Sequence, residues 1–450
     1  KVFIPHYTNL KLGVNSLKPV PCELQVLVGE KKYPVTLHVI SLGKTGVQVY
    51  FIGNERFFSR EGVYLDPDTG KDYEDNDERF VFFSRAVLAV MRQLDYKPDV
   101  VHAHDWQTAL IPVYLKTTDS DDSFFSSTRS VLTIHNLAYQ GKFKHEHFSL
   151  LGLGNELFLP ATGAFEFYGK VNFLKGGIFH ADRITTVSQK YADEIQTQEF
   201  GCGLEGVLSE QKDKLTGILN GVDYTIWSPS CDNQIYARYH IANLSGKRTN
   251  KIELLGEAGM PVRDKVPLIG LVSRLEKQKG WDLVANAADR LLKMNIQMAV
   301  IGTGQQKYHD LVKELQVKYP DKFHGWLTFD DVLAHRIEAA SDIFLMPSQF
   351  EPCGLNQMYS LKYGTVPIVR KVGGLADTVV DYDPNTAEGT GFVFEEYSTE
   401  AMLEAVERAV NLFSKKRAWT KVMKNGMKQN FSWSRSAAQY VDLYQELISD

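Results

Sequence analysis

Pro267-Leu268-Ile269-Gly270-Leu271-Val272, followed at once by Ser273-Arg274-Leu275-Glu276-Lys277-Gln278-Lys279-Gly280, is the stretch on which the fold turns. The first six residues form a near-continuous apolar run, the mark of a parallel strand buried on both faces. The charged segment behind it reads as a loop, and Trp281 to Leu292 reads as a helix. The same unit recurs along the chain. Strand Ile296–Ile301 is closed by Gly302-Thr303-Gly304, and helix 308–319 leads to a short strand, Phe323–Leu327. Helix 330–340, strand Asp342–Pro347, helix 354–363 and strand Val366–Arg370 follow. This alternation predicts an α/β fold with a doubly wound sheet.

The first half repeats the theme less regularly. Val47–Ile52, Val100–His102, Val131–Ile134 and Arg183–Val187 are strand candidates, with helices near 78–94, 108–116 and 171–181. Thr216–Gly221 reads as a strand ending in a turn, followed by a Pro/Ser/Asn-rich stretch from Ser228 to Gly246 that marks a domain junction. The expected division is 1–215, 216–433 and a terminal helical segment, 434–450. Thr117–Ser127 is polar and acidic and reads as a mobile loop.

With 450 residues there is room for two or three domains. Composition (44% apolar, 23% charged) is that of a globular protein, and a net charge of −5 gives no reason to expect nucleic acid or an anionic membrane. No apolar run approaches the roughly 20 residues of a spanning helix. Lys1-Val2-Phe3-Ile4-Pro5 has neither the apolar core nor the cleavage site of a signal peptide. Cys22, Cys202, Cys231 and Cys353 are scattered without metal-type spacing, which suits reduced thiols in a cytosolic or plastid-like compartment.

Doubly wound sheets bind ligands beyond the carboxyl ends of their strands, so motifs that follow strands carry the functional signal. Arg274 and Lys279 flank such a loop, and a guanidinium fork with an ammonium can straddle a diphosphate; a solvated basic loop is the bland alternative. Gly373-Gly374-Leu375 opens a helix and could aim free N–H groups at an anion, or could be a plain tight turn. Glu351-Pro352-Cys353-Gly354-Leu355 precedes another helix. There Glu351 is either a charge favoured by the helix dipole or an acceptor for sugar hydroxyls, and Cys353 either a low-pKa thiol or a backbone donor. In the first half His102-Ala103-His104-Asp105-Trp106-Gln107 and Ile134-His135-Asn136 end strands. His-x-His has no third ligand set at suitable spacing, so no metal is expected. Gly302-Thr303-Gly304 lacks the third glycine of a dinucleotide fingerprint, which disfavours an oxidoreductase.

Six motifs in this order resemble those of bacterial glycogen synthases and plant starch synthases, glycosyltransferase family 5. They are His104-Asp105-Trp106-Gln107, His135-Asn136-x-x-Tyr139-Gln140-Gly141, Asn220-Gly221-Val222-Asp223, Arg274-x4-Lys279-Gly280, Glu351-Pro352-Cys353-Gly354-Leu355 and Gly373-Gly374-Leu375-Ala376-Asp377. The resemblance implies the GT-B fold, two Rossmann-like domains with the site between them and a returning C-terminal helix, Ser434–Ile448. It implies glucosyl transfer from ADP-glucose, or UDP-glucose in some members, to the non-reducing end of an α-1,4-glucan or malto-oligosaccharide, with retention, no metal and no other cofactor. It places Arg274 and Lys279 on the diphosphate, and Glu351 with the amides around Cys353 and Gly354 on the glucosyl hydroxyls. The Gly373-Gly374-Leu375 amides would meet phosphate, Phe329 would stack on the base, and His135 would face the glucosyl ring. Asn136, Asp105, Asn220, Gly302, Thr303 and Leu355 complete the expected donor site. No nucleic-acid or membrane partner is implied, and the setting would be bacterial cytoplasm or plastid stroma and starch granule. Family members open with a strand and a Lys-x-Gly-Gly-Leu-Gly-Asp loop that has no counterpart here, so a further N-terminal segment is expected in the molecule. Asn356 stands where Thr is commoner, which bears on a local ribose or phosphate contact. A sucrose-synthase-like transferase and a catalytically silent glucan-binding or priming protein are the rival readings; the sequence does not choose glycogen over starch, nor set an oligomeric state.

Overall fold

The computed structural model describes residues 1–8, 10, 17–159 and 163–449. The chain forms two compact units, Lys1–Thr185 with Ile195–Thr216 and the chain from Leu443 onward, and Thr186–Glu194 with Gly217–Asp442.

The first unit opens with β1 (Val2–Pro5), β2 (Lys18–Val20), a hairpin of β3 (Gln25–Val28) and β4 (Lys31–Pro34), then β5 (Thr36–Ser41) and β6 (Gln48–Gly53). One sheet runs β1-β6-β5-β2, with β1 parallel to β6 and β5 antiparallel to both its neighbours. The helix Asn76–Gln93 is buried nearly all round, through Phe80, Phe82, Phe83, Val87 and Met91. Next come β7 (Val100–His104) and β8 (Arg129–Ile134), which pair in parallel, and a small antiparallel sheet of β9 (Lys142–Lys144), β10 (Glu166–Phe167) and β11 (Lys170–Asn172). With β12 (Arg183–Thr186) and β13 (Leu215–Gly217) a second sheet runs β13-β12-β8-β7. β1 and β7 are edge strands, and residues of both line a cavity of about 540 Å3.

The acidic stretch 117–127, read above as a mobile loop, is a set of hydrogen-bonded turns. Asp119 and Asp122 both lie on the Arg92 guanidinium, at 2.7 and 2.6 Å, and Phe125 is buried beneath them. Two of its charges are answered by Arg92, 27 and 30 residues upstream in sequence, which composition does not reveal.

In the second unit the apolar runs become β14 (Leu268–Val272), β15 (Gln297–Ile301), β16 (Phe323–Trp326), β17 (Ile343–Met346), β18 (Val366–Arg370) and β19 (Phe392–Phe394). All are parallel, in the order β16-β15-β14-β17-β18-β19. Counted from β14 this is the 3-2-1-4-5-6 order of a Rossmann sheet. The continuous apolar runs follow from burial on both faces. Ile269, Leu271, Met298 and Val300 feed one core, while Leu268, Ala299 and Ile301 feed another with Leu254 and Ile337.

The stretch from Ser228 to Gly246, read above as a junction, lies inside the second unit. Asp232 accepts hydrogen bonds from His335 Nδ1 at 2.7 Å and from the Tyr363 hydroxyl at 2.6 Å, and His335 stacks on Trp227 with ring centroids 3.5 Å apart. Its polar residues are fasteners, so their abundance misleads. The last helix, Trp433–Ser449, has its end from Leu443 grouped with the first unit. Among the described residues no helix is long and apolar enough to cross a membrane.

Candidate active site

β14 and β17, the first and fourth strands of the parallel sheet, are neighbours, and crossovers leave them in opposite directions. That is the topological switch point, where open α/β sheets leave a crevice. The loop after β14 is pressed against the end of β17. Gly280 has φ +77°, and a β-carbon there would stand 2.1 Å from the Pro347 carbonyl oxygen. Gln349 N–H also donates to the Gln278 carbonyl, at 2.8 Å.

This close approach brings Lys279 to Glu351. Lys279 Nζ donates to both carboxylate oxygens, at 2.6 and 2.9 Å, and Ser348 Oγ donates to Oε2 at 3.0 Å. The Glu351 side chain is buried (7% exposed), whereas the Arg274 guanidinium is half exposed, 3.1 Å from Glu276. Arg274, Lys279, Gly302, Thr303, Phe329, Glu351, Gly354 and Leu355 line one cavity of about 270 Å3. At its rim Phe329 holds its ring 88% exposed, an aromatic face turned to water.

One helix boundary needs correction, and several of the expected site residues lie away from this cavity. The helix expected from 354 begins at Asn356, with Leu355 at its cap, and Gly354 lies outside in a left-handed conformation. Asn356 spends its side-chain amide on the Val272 carbonyl, 2.9 Å away, tying the helix start to the end of β14. Cys353 does not line the cavity. It packs among Val187, Val222 and Met358, and burial pushes its thiol up to about 12 against the pull of the Asn220 N–H, so it is neither a thiolate nor a nucleophile. Asn220 accordingly lies beside Cys353, not among the cavity's lining residues. The Gly373-Gly374-Leu375 amides are already engaged. Gly373 N–H donates to the Glu194 carboxylate at 3.0 Å, Gly374 N–H to the Glu351 and Pro352 carbonyls, and Leu375 N–H to the Val372 carbonyl. In this arrangement these glycines support the Glu351–Gly354 turn from behind.

In the first unit the strand-end residues converge at the ends of β7 and β8. Asp105, at φ +56°, accepts from the His135 N–H at 2.8 Å and from the Asn136 N–H. Asn136 Oδ1 accepts from the Ala138 N–H, closing the turn. Asp105 therefore braces the His135–Asn136 turn. Burial pushes its carboxyl up, opposed by His135 and the two N–H donors. His104 Nδ1 lies 3.0 Å from His135 Nε2, so one ring carries the shared proton. His102 sits between the Tyr444 hydroxyl and Thr133 Oγ1, each 2.6 Å away. Burial and the neighbouring histidines hold His102 down to about 3 and His104 to about 4, so both rings are neutral at physiological pH. No group of three or more His, Cys, Asp or Glu side chains among the described residues could hold a metal ion.

Ser348, Ser188 and Glu194 escaped the sequence reading. Ser188 Oγ donates to the Pro352 carbonyl at 2.6 Å and so holds the Glu351 turn from a distant segment. Only Ser348, three residues before Glu351, sits close enough to a motif to have been found.

Known proteins bear on this arrangement in two ways. Residues 1–210 match the starch synthase catalytic domain family and residues 258–425 the glycosyl transferases group 1 family. The catalytic domain of starch synthase IV from Arabidopsis thaliana, bound to ADP and acarbose, superposes with a TM-score of 0.90 at 33% identity, covering 100% of this chain and 92% of that one. The chain is a glycosyltransferase of the GT-B fold. Among sequence relatives, the glycogen synthase of Pseudothermotoga lettingae is 48% identical over 97% of this chain and 88% of its own length. That of Thermosipho melanesiensis is 46% identical over 100% and 92%. The chain belongs to the family of glycogen and starch synthases, enzymes that lengthen glucans by glucosyl transfer.

Proposed function

We propose that this enzyme transfers glucose from ADP-glucose to the non-reducing 4-hydroxyl of an α-1,4-glucan or malto-oligosaccharide, with retention of configuration and without a metal. The observation that carries the reading is the Lys279–Glu351 pair in the wall of a cavity that also holds Arg274. Cleaving the bond between the anomeric carbon and the diphosphate places negative charge on the departing oxygen. Arg274 and Lys279 meet that charge with fixed cations, the kind of preorganised stabilisation that contributes most in such sites. Glu351 accepts from glucosyl hydroxyls and faces the positive charge growing on the ring. His135 contacts the sugar, and Phe329 gives the base a stacking surface. The acceptor oxygen bonds to the anomeric carbon on the face the diphosphate leaves. Its proton passes to the departing phosphate oxygen, so no enzyme nucleophile is required.

The starch synthase IV relative solved with ADP and acarbose supports a nucleoside diphosphate leaving group and a saccharide partner. Free Cys22, Cys202, Cys231 and Cys353 suit a reducing compartment such as a cytoplasm or plastid stroma. Incubating the enzyme and a glycogen primer with labelled ADP-glucose or UDP-glucose tests the reading. Faster incorporation from ADP-glucose supports it; a protein that binds glycogen without labelling it would be the silent binder instead.

A further inference from the structure

The hairpin of β10 and β11 puts a tyrosine where the backbone resists one. Phe167 and Lys170 are its last paired residues, so Tyr168 and Gly169 make a two-residue turn in which both φ angles are positive, +50° and +77°. Such turns favour Asn, Asp or Gly at the first position, because a β-carbon is crowded there. Tyr168 nevertheless occupies it, and its ring is 82% exposed, so neither local propensity nor burial accounts for the residue.

Its surroundings hold the ring in place. Phe167 packs edge-on against it with centroids 4.8 Å apart, and the Lys142 ammonium lies 5.6 Å from the Phe167 centroid. The backbone at Gly203 approaches both rings so closely that a β-carbon there would stand 2.9 Å from Phe167 and 3.5 Å from Tyr168. The neighbouring Cys202 carbonyl accepts from Gln140 Nε2 at 3.1 Å. Gln140 follows Tyr139, itself 55% exposed, on the turn that carries His135 and Asn136. Hydrogen bonding and packing through Gln140, Cys202 and Gly203 thus link the turn that carries Tyr139 to the hairpin tip that carries Tyr168.

We propose that Tyr168, with Tyr139, forms an aromatic platform that binds the acceptor α-glucan several sugars away from its reacting end. The proposal rests on the glucan-elongating function above. A glucan offers apolar C–H faces flanked by hydroxyls, which suits an exposed aromatic plane with a polar rim.

Native electrophoresis through glycogen-containing gels, together with initial rates on glycogen and on maltotriose, tests it with Tyr168→Asn and Tyr168→Phe. Asn suits the turn, so the first variant keeps the fold, which a melting curve checks. Wild type is expected to be retarded by glycogen. Tyr168→Asn should weaken that retardation and raise KM for glycogen about three- to tenfold, with the effect on KM rather than kcat and smaller on maltotriose. Tyr168→Phe should bind as wild type does. Unchanged glycogen binding in Tyr168→Asn, lost binding in Tyr168→Phe, or no retardation of wild type would each overturn the platform. Failure of the underlying function looks different: retardation that depends on Tyr168 but no glucosyl incorporation by wild type.

Discussion

Glu351 and Lys279 hold each other in a pair whose two members the proposed reaction uses separately, one on the sugar and one on the phosphate. Glu351→Gln keeps the length of the side chain and its bond to Ser348 while removing the charge. It should lower kcat by about 100- to 1000-fold, the scale of losing one preorganised electrostatic contact. Melting behaviour should stay near that of wild type; activity within a few-fold of wild type would remove Glu351 from the chemistry. In the proposed reaction Phe329 serves binding alone, and its side chain is largely exposed. Phe329→Ala should raise KM for the nucleotide sugar about tenfold and leave kcat and stability largely unchanged, as steady-state kinetics with varied donor would show. Glu351 was picked out because its motif sits in a loop directly behind a strand, and Phe329 only through the family resemblance. Ser348 and Ser188 were not, because their meaning lies in hydrogen bonds to Glu351 and to the Pro352 carbonyl that only the folded chain makes.

At the scale of elements, five of the six parallel strands of the second unit were readable to within a residue or two, since burial on both faces forces unbroken apolar runs, while the three-residue edge strand β19 was not read. The helix after Cys353 was placed two residues early, because Gly354 and Leu355 complete the turn before it. Polar side chains serve as fasteners between helices in this unit, and one of them predicts a pH dependence. Lys247, on the helix Ser245–Glu257, is buried and donates to the Ala339 carbonyl at 3.2 Å and to Thr365 Oγ1 at 2.7 Å. Burial holds it down to about 7, and pushes the nearby Glu338 carboxyl up to about 8. Between pH 7 and 10.5 the unfolded chain binds a proton at Lys247 that the folded chain does not, so this lysine makes stability rise with pH. Glu338 acts oppositely, stability falling as pH rises from 4.5 to 8. Above pH 8 only the lysine of this pair still contributes. Wild type should therefore gain on Lys247→Met by up to about 1.4 kcal/mol per pH unit between pH 8 and 10 in urea denaturation. A stability difference that does not change over that range would mean Lys247 is charged in the fold.

For the molecule as a whole, the two halves differed in legibility for a physical reason. The second is built from buried parallel strands with the candidate cavity at one switch point, so strand and motif alternate in sequence as in space. The first contains short, half-exposed strands such as β2 to β5 and β9 to β11, whose two- to six-residue patterns were not resolved from loops. Asp105, His135 and Asn136 were picked out there as site residues, but the bracing of one turn by the Asp105 carboxylate was not visible. Transfer itself is the central claim. Wild type incubated with labelled ADP-glucose and glycogen should incorporate glucose into the glucan, faster than from UDP-glucose and not at all detectably with Glu351→Ala. Glycogen that stays unlabelled in the presence of folded wild-type enzyme and ADP-glucose would contradict the account.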